Sequence, residues 1–144
     1  DEVALSRRYL DIEQLRFGDR MHVRWQLDPA AASAPLPPLI LQPLVENAVR
    51  HGVEPCAEGG WIAVHTQVQA GHMVLTVRNS VPQQGALPFA PGHGMALRNV
   101  RQRLQLMHDV QAEFAAGLKP PETVGASPYY EVRLKVPIST EVLA

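Results

Sequence analysis

Four side chains able to bind a metal and a phosphate gather at one end of a predicted helix. The segment 41–52 reads LQPLVENAVRHG, with Glu46, Asn47, Arg50 and His51 near its C-terminal end. Asn47 and Arg50 are three residues apart, so they share a face of the helix. An amide oxygen can coordinate Mg²⁺ and a guanidinium can grip phosphate oxygens, so the pair suits a magnesium nucleotide. Taken alone, the spacing favours a simpler interpretation, a solvated helix end with basic residues near the negative pole of the dipole.

Two glycines before a second predicted helix offer a place for an anion. The segment 92–104 reads GHGMALRNVRQRL, and Gly92 and Gly94 precede its helical pattern. Such residues let backbone N–H groups approach an anion, and a helix N-terminus adds positive potential. The segment is neither a Walker loop, because no Gly-Lys-Ser/Thr follows, nor a dinucleotide fingerprint, because the glycines follow a long loop. A glycine pair by itself is more often only a hinge.

The elements that must position these residues begin with a helix and a strand. The spacing of four apolar residues predicts an amphipathic helix with these residues on its apolar face, ending near Gly18: Leu5, Tyr9, Ile12 and Leu15. Apolar residues then alternate with polar ones in a pattern typical of a half-buried strand: Met21, Val23, Trp25 and Leu27. A proline-rich loop at 29–38 and a helix at 39–51 follow.

The second half of the chain is predicted to complete a sheet. Two strands flank a turn at Ala70-Gly71, and continuing the alternation of the second strand points Asn79 inward at its end. The segment 80–93 has three prolines and two glycines without periodicity, which is typical of a lid. A helix, a short strand near 110–115 and a strong strand around 130–136 end the pattern. This order of elements indicates an α/β fold, a sheet covered by helices on one face.

Composition narrows the possible partners. Thirteen Lys and Arg against fourteen Asp and Glu give a net charge of −1, which supplies no general field for binding nucleic acid. The single Cys56 favours a reducing compartment, and hence the cytoplasm. No apolar run approaches the ~18 residues of a membrane helix, so we expect any membrane anchor to lie in another part of a parent protein.

Taken together and in order, three segments resemble the LytS-like family of sensor histidine kinases, within the wider GHKL ATPase group. The first segment spans 9–20 and reads YLDIEQLRFGDR; the others are 41–52 and 92–104. The resemblance implies a two-layer α/β sandwich of the Bergerat type, with 1–144 forming one ATP-binding domain. It further implies that helix 1–17 leads in from a dimerisation and phosphoacceptor segment, and that 80–93 is the ATP lid.

The same resemblance implies the function and the residues that carry it. Asn47 would be the Mg²⁺ ligand, Arg50 would contact the phosphates, and further contacts to ATP would come from His51, Asn79, Gly92, Gly94, Met95, Leu97 and Asn99. The domain would transfer the γ-phosphoryl group of Mg-ATP to a histidine outside this chain, for relay to a response regulator. The resemblance also implies a homodimeric, membrane-anchored parent with this domain in the cytoplasm. We expect no nucleic-acid partner.

One departure from the family pattern motivates an alternative. Many relatives carry an Asp-x-Gly-x-Gly segment whose acid reads the adenine amino group, whereas this chain has NSVP at 79–82. The amide oxygen of Asn79 can still accept a hydrogen bond from that amine. A nucleotide-independent interaction module therefore stays open beside the kinase, and a serine kinase of the anti-sigma type fits less well because segment 9–20 favours the sensor family.

Overall fold

The computed structural model describes residues 2–31, 40–82, 93–108 and 112–138, with backbone alone described at 93–95 and 107–108. Within these residues, three helices and five strands follow one another as predicted. They are α1 (Glu2–Phe17), β1 (Met21–Gln26), α2 (Leu41–Gly52), β2 (Gly60–Gln69), β3 (His72–Ser80), α3 (His93–His108), β4 (Glu113–Lys119) and β5 (Tyr129–Pro137). The loop predicted at 29–38 begins with a 3₁₀ turn at Pro29–Ala31, and 32–39 lie outside the described residues.

The five strands form one mixed sheet in the order β1-β2-β3-β5-β4. Strands β1 and β2 run parallel, which requires a crossover, and α2 supplies it. The other neighbours are antiparallel. One side of the sheet and the three helices share a single hydrophobic core. The predicted α/β fold, a mixed sheet with helices on one face, is therefore confirmed.

Alternation along the strands sets which residues enter this core. On β2 the buried residues are Ile62, Val64 and Thr66, and each is followed by a more exposed residue. The turn between β2 and β3 is formed by Ala70 and Gly71 as predicted, with φ angles of 47° and 80°. Two consecutive positive φ angles match the right-handed twist of a hairpin. Asn79 is 2% exposed, so its predicted inward orientation is also confirmed.

Helix α1 buries a different face from the apolar one in the sequence. Leu5, Ile12 and Leu15 are 54%, 60% and 86% exposed, so the prediction that this stripe meets the core is wrong. The buried residues are Leu10, Phe17 and the polar Ser6. The Ser6 hydroxyl lies 3.4 Å from Gln42 Oε1 on α2, and α1 packs against α2 through this face.

Two boundaries differ from the sequence prediction. The strand expected near 110–115 runs over Glu113–Lys119, because its pairing with β5 starts at Glu113 opposite Lys135. Helix α2 includes Gly52 as its last residue instead of ending before it. No helix in the described parts of the chain is long and apolar enough to cross a membrane.

Candidate functional site

The C-terminal half of α2 places one polar side chain in an apolar surrounding. Val45, Ala48 and Val49 are at most 1% exposed and anchor the helix to the core. Asn47 lies among them at 5% exposure. It makes no hydrogen bond with any residue that the structure describes. Its amide is not among the fully buried atoms that lack a partner, so it reaches the surface and is open to a ligand.

Arg50 and His51 follow on the same helical turn. The Arg50 side chain is exposed, and no described residue forms an ion pair with it. His51 is half-buried. Exposure therefore increases along this turn, from the mostly buried Asn47 to the exposed guanidinium of Arg50. A ligand held by Asn47 would extend toward a positive charge. The metal- and phosphate-binding roles predicted for Asn47 and Arg50 stay predictions.

Gly52 brings the end of α2 into contact with the end of β3. A Cβ atom added at Gly52 would lie 2.7 Å from Asn79 Cβ, so the Asn79 side chain packs against the end of α2 because this residue is glycine. Asn79 Nδ2 donates a hydrogen bond of 2.7 Å to the Ser80 carbonyl. Its Oδ1 makes no hydrogen bond with any described residue. The bond to Ser80 thus fixes the orientation of the amide and leaves an acceptor unused.

Ser80 and Gly60 complete this junction, a role that the sequence analysis did not predict. The Ser80 hydroxyl donates to the Gly52 carbonyl at 3.0 Å and accepts from the Trp61 backbone N–H at 2.9 Å. A Cβ at Gly60 would lie 2.1 Å from the Gly52 oxygen and 2.5 Å from Ser80 Oγ. These contacts join residues 19 and 28 positions apart, and local patterns cannot reveal such separations.

Acidic residues near α2 lie toward α1. Glu46 accepts a hydrogen bond from Gln42 Nε2 at 3.0 Å, and α1 carries Tyr9 and Glu13 close by. Burial, together with the charges of Glu13, Glu46 and Glu54, raises the pKa of Tyr9 to about 12. The acidic side chains Glu13, Glu46 and Glu54 thus lie near Tyr9, where α1 meets α2.

Helix α3 supplies the remaining predicted residues, which occupy different environments. Leu97 is 7% exposed within the hydrophobic core, whereas Asn99 is exposed. Gly94 and Met95 lie in the first helical turn, where backbone N–H groups have no partner within the helix. Gly92 and most of the predicted lid, 83–92, lie outside the described residues. Since α3 packs on α2, its N-terminus and the Asn47 turn belong to the same layer.

The structure places Asn47 and Arg50 on the last turns of α2 and Asn79 on the end of β3 that contacts Gly52. Helix α3 lies in the same layer, and backbone donors at a helix N-terminus favour an anion. No group of three or more His, Cys, Asp or Glu in the described residues could hold a metal ion.

Known proteins share this sequence and fold. The chain is 32% identical over 114 residues to the sensor histidine kinase YpdA of Escherichia coli K12, covering 74% of the chain and 20% of that protein. It is 30% identical over 121 residues to the sensor protein LytS of Staphylococcus haemolyticus, covering 77% of the chain and 21% of LytS. The chain belongs to the LytS-like sensor histidine kinases. This confirms the resemblance seen in the sequence.

The fold of this LytS-like domain matches a solved structure of the same class. The catalytic domain of histidine kinase ThkA superposes with a TM-score of 0.68 at 14% identity, covering 96% of the chain and 92% of that domain. At this identity the likeness establishes the fold alone. The chain spans about one fifth of the length of the curated LytS-like relatives it matches. No protein-family model matches it.

Proposed function

We propose that this chain is the catalytic domain of a histidine kinase, which binds Mg-ATP and transfers the γ-phosphoryl group to a histidine outside the chain. The single observation that carries the proposal is Asn47, a residue 5% exposed whose amide has no hydrogen bond to any described residue and is not among the fully buried unpaired atoms, so it opens to the surface. It lies within two turns of the Gly52–Asn79 contact, so a metal-binding group and a base-reading group occur at the same end of α2.

Mg²⁺ fits the donor at Asn47. This ion keeps several waters and is usually held by one or two protein oxygens together with the phosphates of the substrate. One neutral amide oxygen therefore suffices, and the lack of an acidic cluster among the described residues is compatible with it. When bound, the ion would offset negative charge on the phosphates. The chain's own part is to hold the amide rigidly, which the packing of Val45, Ala48 and Val49 achieves.

Asn79 is proposed to read the base. Its Nδ2 donates to the Ser80 carbonyl, so the group that faces a ligand is the Oδ1 acceptor. An acceptor pairs with the amino group of adenine and is repelled by the carbonyl oxygen that guanine carries at the same position. The orientation of this amide therefore supports ATP over GTP, even without the acid found in many relatives.

The phosphates are proposed to lie between Arg50 and the start of α3. Backbone N–H groups at Gly94 and Met95 would donate to phosphate oxygens. The lid predicted at 80–93 is wrong at its two ends, because Ser80 belongs to β3 and His93 to α3, and Gly92, which would also contact the phosphates, lies outside the described residues. His51 would line the pocket beside Arg50, and Asn99 would contact the nucleotide from α3. Leu97 lies in the core, so its proposed contribution is to seat α3 correctly.

Phosphoryl transfer then depends on alignment and charge neutralisation, because the reaction needs little covalent chemistry from the protein. The acceptor histidine would belong to a dimerisation segment of the same parent, which we propose to be a membrane-anchored homodimer with this domain in the cytoplasm. A response regulator would receive the phosphoryl group. No nucleic acid takes part.

Autophosphorylation of the full-length parent with radiolabelled ATP tests this proposal. We expect incorporation of label that acid removes and alkali does not, as for a phosphohistidine, and we expect Asn47→Ala to abolish it. Gln102→Ala, which removes an exposed amide on α3, serves as the control and should keep full activity. Equal labelling of the Asn47→Ala protein would refute the assigned role, provided that thermal melting shows both variants to be folded.

A nucleotide-independent interaction module is the second candidate. It is favoured by the segment 79–82, NSVP, which lacks both the acid and the glycines of the Asp-x-Gly-x-Gly segment in many relatives. In that case Asn47→Ala should leave partner binding intact, and ATP should give no heat in calorimetry at millimolar concentration.

A further inference from the structure

The side of the sheet that faces away from the helices carries a set of basic residues. Alternate positions on the five strands point to this side, and the helices leave it uncovered. It presents five Lys and Arg residues: Arg24, Arg78, Lys119, Arg133 and Lys135. We name these strand positions the open face. Its acidic side chains are Glu113 and Glu131 from the strands and Glu122 from the loop before β5.

Charge is unevenly divided between this face and the rest of the chain. The open face holds five of the thirteen Lys and Arg and three of the fourteen Asp and Glu, so its net charge is +2. The whole chain has −1, so the remainder carries −3. A nearly neutral chain therefore has a positive face among its described residues.

Most of these cations are not used by the fold. Arg78 is the exception, since its Nε donates to Glu131 at 2.9 Å and its guanidinium stacks 4.9 Å from the ring of Tyr129. Arg24 and Arg133 are exposed and form no ion pair with any residue in the described ranges. Neither guanidinium group contributes an ion pair to the described part of the fold, so both are available to a partner.

The surface between them is shaped for contact. Register pairs Arg24 with Ala63 and Ala63 with Arg78, so a small residue separates two arginines on adjacent strands. A depression of about 210 Å³ opens there, lined also by His65 and Thr76. Beside it, Trp61 is 38% exposed. Arginine and tryptophan dominate the binding energy of protein interfaces, and a shallow pocket between them suits an inserted side chain.

We propose that the open face binds an acidic protein surface, with partner carboxylates at Arg24 and Arg133 and one side chain in the depression over Ala63. Five strands ~4.8 Å apart and roughly eight residues long span on the order of 600 Å², but Val74, Thr76 and Glu131 on this side are buried. The exposed part is therefore smaller than the ~800 Å² that each partner contributes to a standard interface, and it fits a weak, transient complex. Nucleic acid fits less well, because the remainder of the chain carries −3 and would repel a long polyanion.

Fluorescence anisotropy with a fluorescein-labelled glutamate peptide of about ten residues tests the proposal, because such a peptide extends over roughly 33 Å and can cross the face. We expect saturable binding that weakens as salt is raised to about 0.15 M. The double variant Arg24→Glu/Arg133→Glu should lose at least about tenfold in affinity, since two attractive contacts become repulsive.

Arg8→Glu/Arg98→Glu is the matched control, because it makes the same total charge change at exposed sites on α1 and α3. It should bind the peptide like the original protein. Equal loss in this control, or no binding by the original protein, would overturn the proposal. Tighter binding of a single-stranded oligonucleotide of equal charge would overturn it too, in favour of a nucleic-acid surface. Neither Arg24 nor Arg133 belongs to the proposed ATP site, so ATP titration of the Arg24→Glu/Arg133→Glu variant separates a failure here from a failure of the kinase assignment.

Discussion

Replacing Gly60 by alanine tests the junction that holds the end of β3 against α2. The new Cβ would lie 2.1 Å from the Gly52 carbonyl oxygen and 2.5 Å from Ser80 Oγ. Both distances are far inside van der Waals contact, and the first involves backbone, which cannot rotate away. Strand β2 must therefore move relative to α2, or the helix end must unwind.

The expected cost follows from two contributions. Overpacking at a well-packed site costs about 1–3 kcal/mol. Losing the hydrogen bond from Ser80 to Gly52, 3.0 Å long, adds about 0.5–1.5 kcal/mol. We therefore expect Gly60→Ala to lower the free energy of unfolding by about 2–4 kcal/mol. Because Asn79 adjoins the same junction, affinity for ATP should fall as well.

Urea unfolding followed by tryptophan fluorescence measures this change. With a slope of about 2 kcal/mol per molar urea, the midpoint should fall by about 1–2 M. The control is Gly117→Ala, since no heavy atom lies within 4 Å of the position of its Cβ; it should be neutral or slightly stabilising. In Gly60→Ala/Ser80→Ala the contact with the hydroxyl disappears while the one with the carbonyl remains, so recovery should be incomplete. A Gly60→Ala protein within about 0.5 kcal/mol of the original would refute this reasoning.

Three further predictions concern stability. Leu10→Ala should lower the free energy of unfolding by about 2–5 kcal/mol in urea, because Leu10 is 2% exposed. Leu15→Ser, at an 86% exposed site, should change it by less than about 0.5 kcal/mol. Equal losses in the two variants would contradict the packing of α1. Hydrogen bonds from two backbone N–H groups lower the pKa of Asp28. Its contribution to the free energy of unfolding is therefore complete above the pKa that Asp28 has in the unfolded chain, and it is lost as pH falls through the pKa of the folded protein. Melting temperatures of Asp28→Asn should depend less on acid pH than those of the original protein, and an unchanged pH profile would count against this prediction. Asn79→Asp should lower stability at neutral pH by about 1–3 kcal/mol, because a carboxylate cannot donate to the Ser80 carbonyl; full stability in chemical unfolding would show that this bond is unimportant.

The strands could be predicted because each buries one side. The alternation of apolar and polar residues on β2 and β3 indicates which residues face the core, and the same alternation, continued to the end of β3, predicts that Asn79 points inward. The predicted bounds of β4 differ by several residues from the observed ones, because the strand lies at the edge of the sheet and its bounds depend on pairing with β5. Periodicity carries no information about that partner.

The helices show a different limit. An apolar stripe on α1 was visible in the sequence, yet the core contacts the opposite side, including Ser6 at 0% exposure. Which side of a helix is buried depends on its neighbours, and here the polar partner Gln42 lies 36 residues away. In the candidate site, Asn47 and Arg50 could be identified as candidates from residue type and spacing. The roles of Gly60 and Ser80 could not be predicted, because they depend on contacts between distant segments.

Calorimetric titration of ATP into the protein, with and without Mg²⁺, tests most directly whether the Asn47 amide holds the metal of a bound nucleotide. We predict that Mg²⁺ strengthens binding of ATP to the original protein and that this gain disappears in Asn47→Ala while the fold is retained. Equal Mg²⁺-dependent heats from both proteins would contradict the assignment, and so would no binding by either at millimolar ATP.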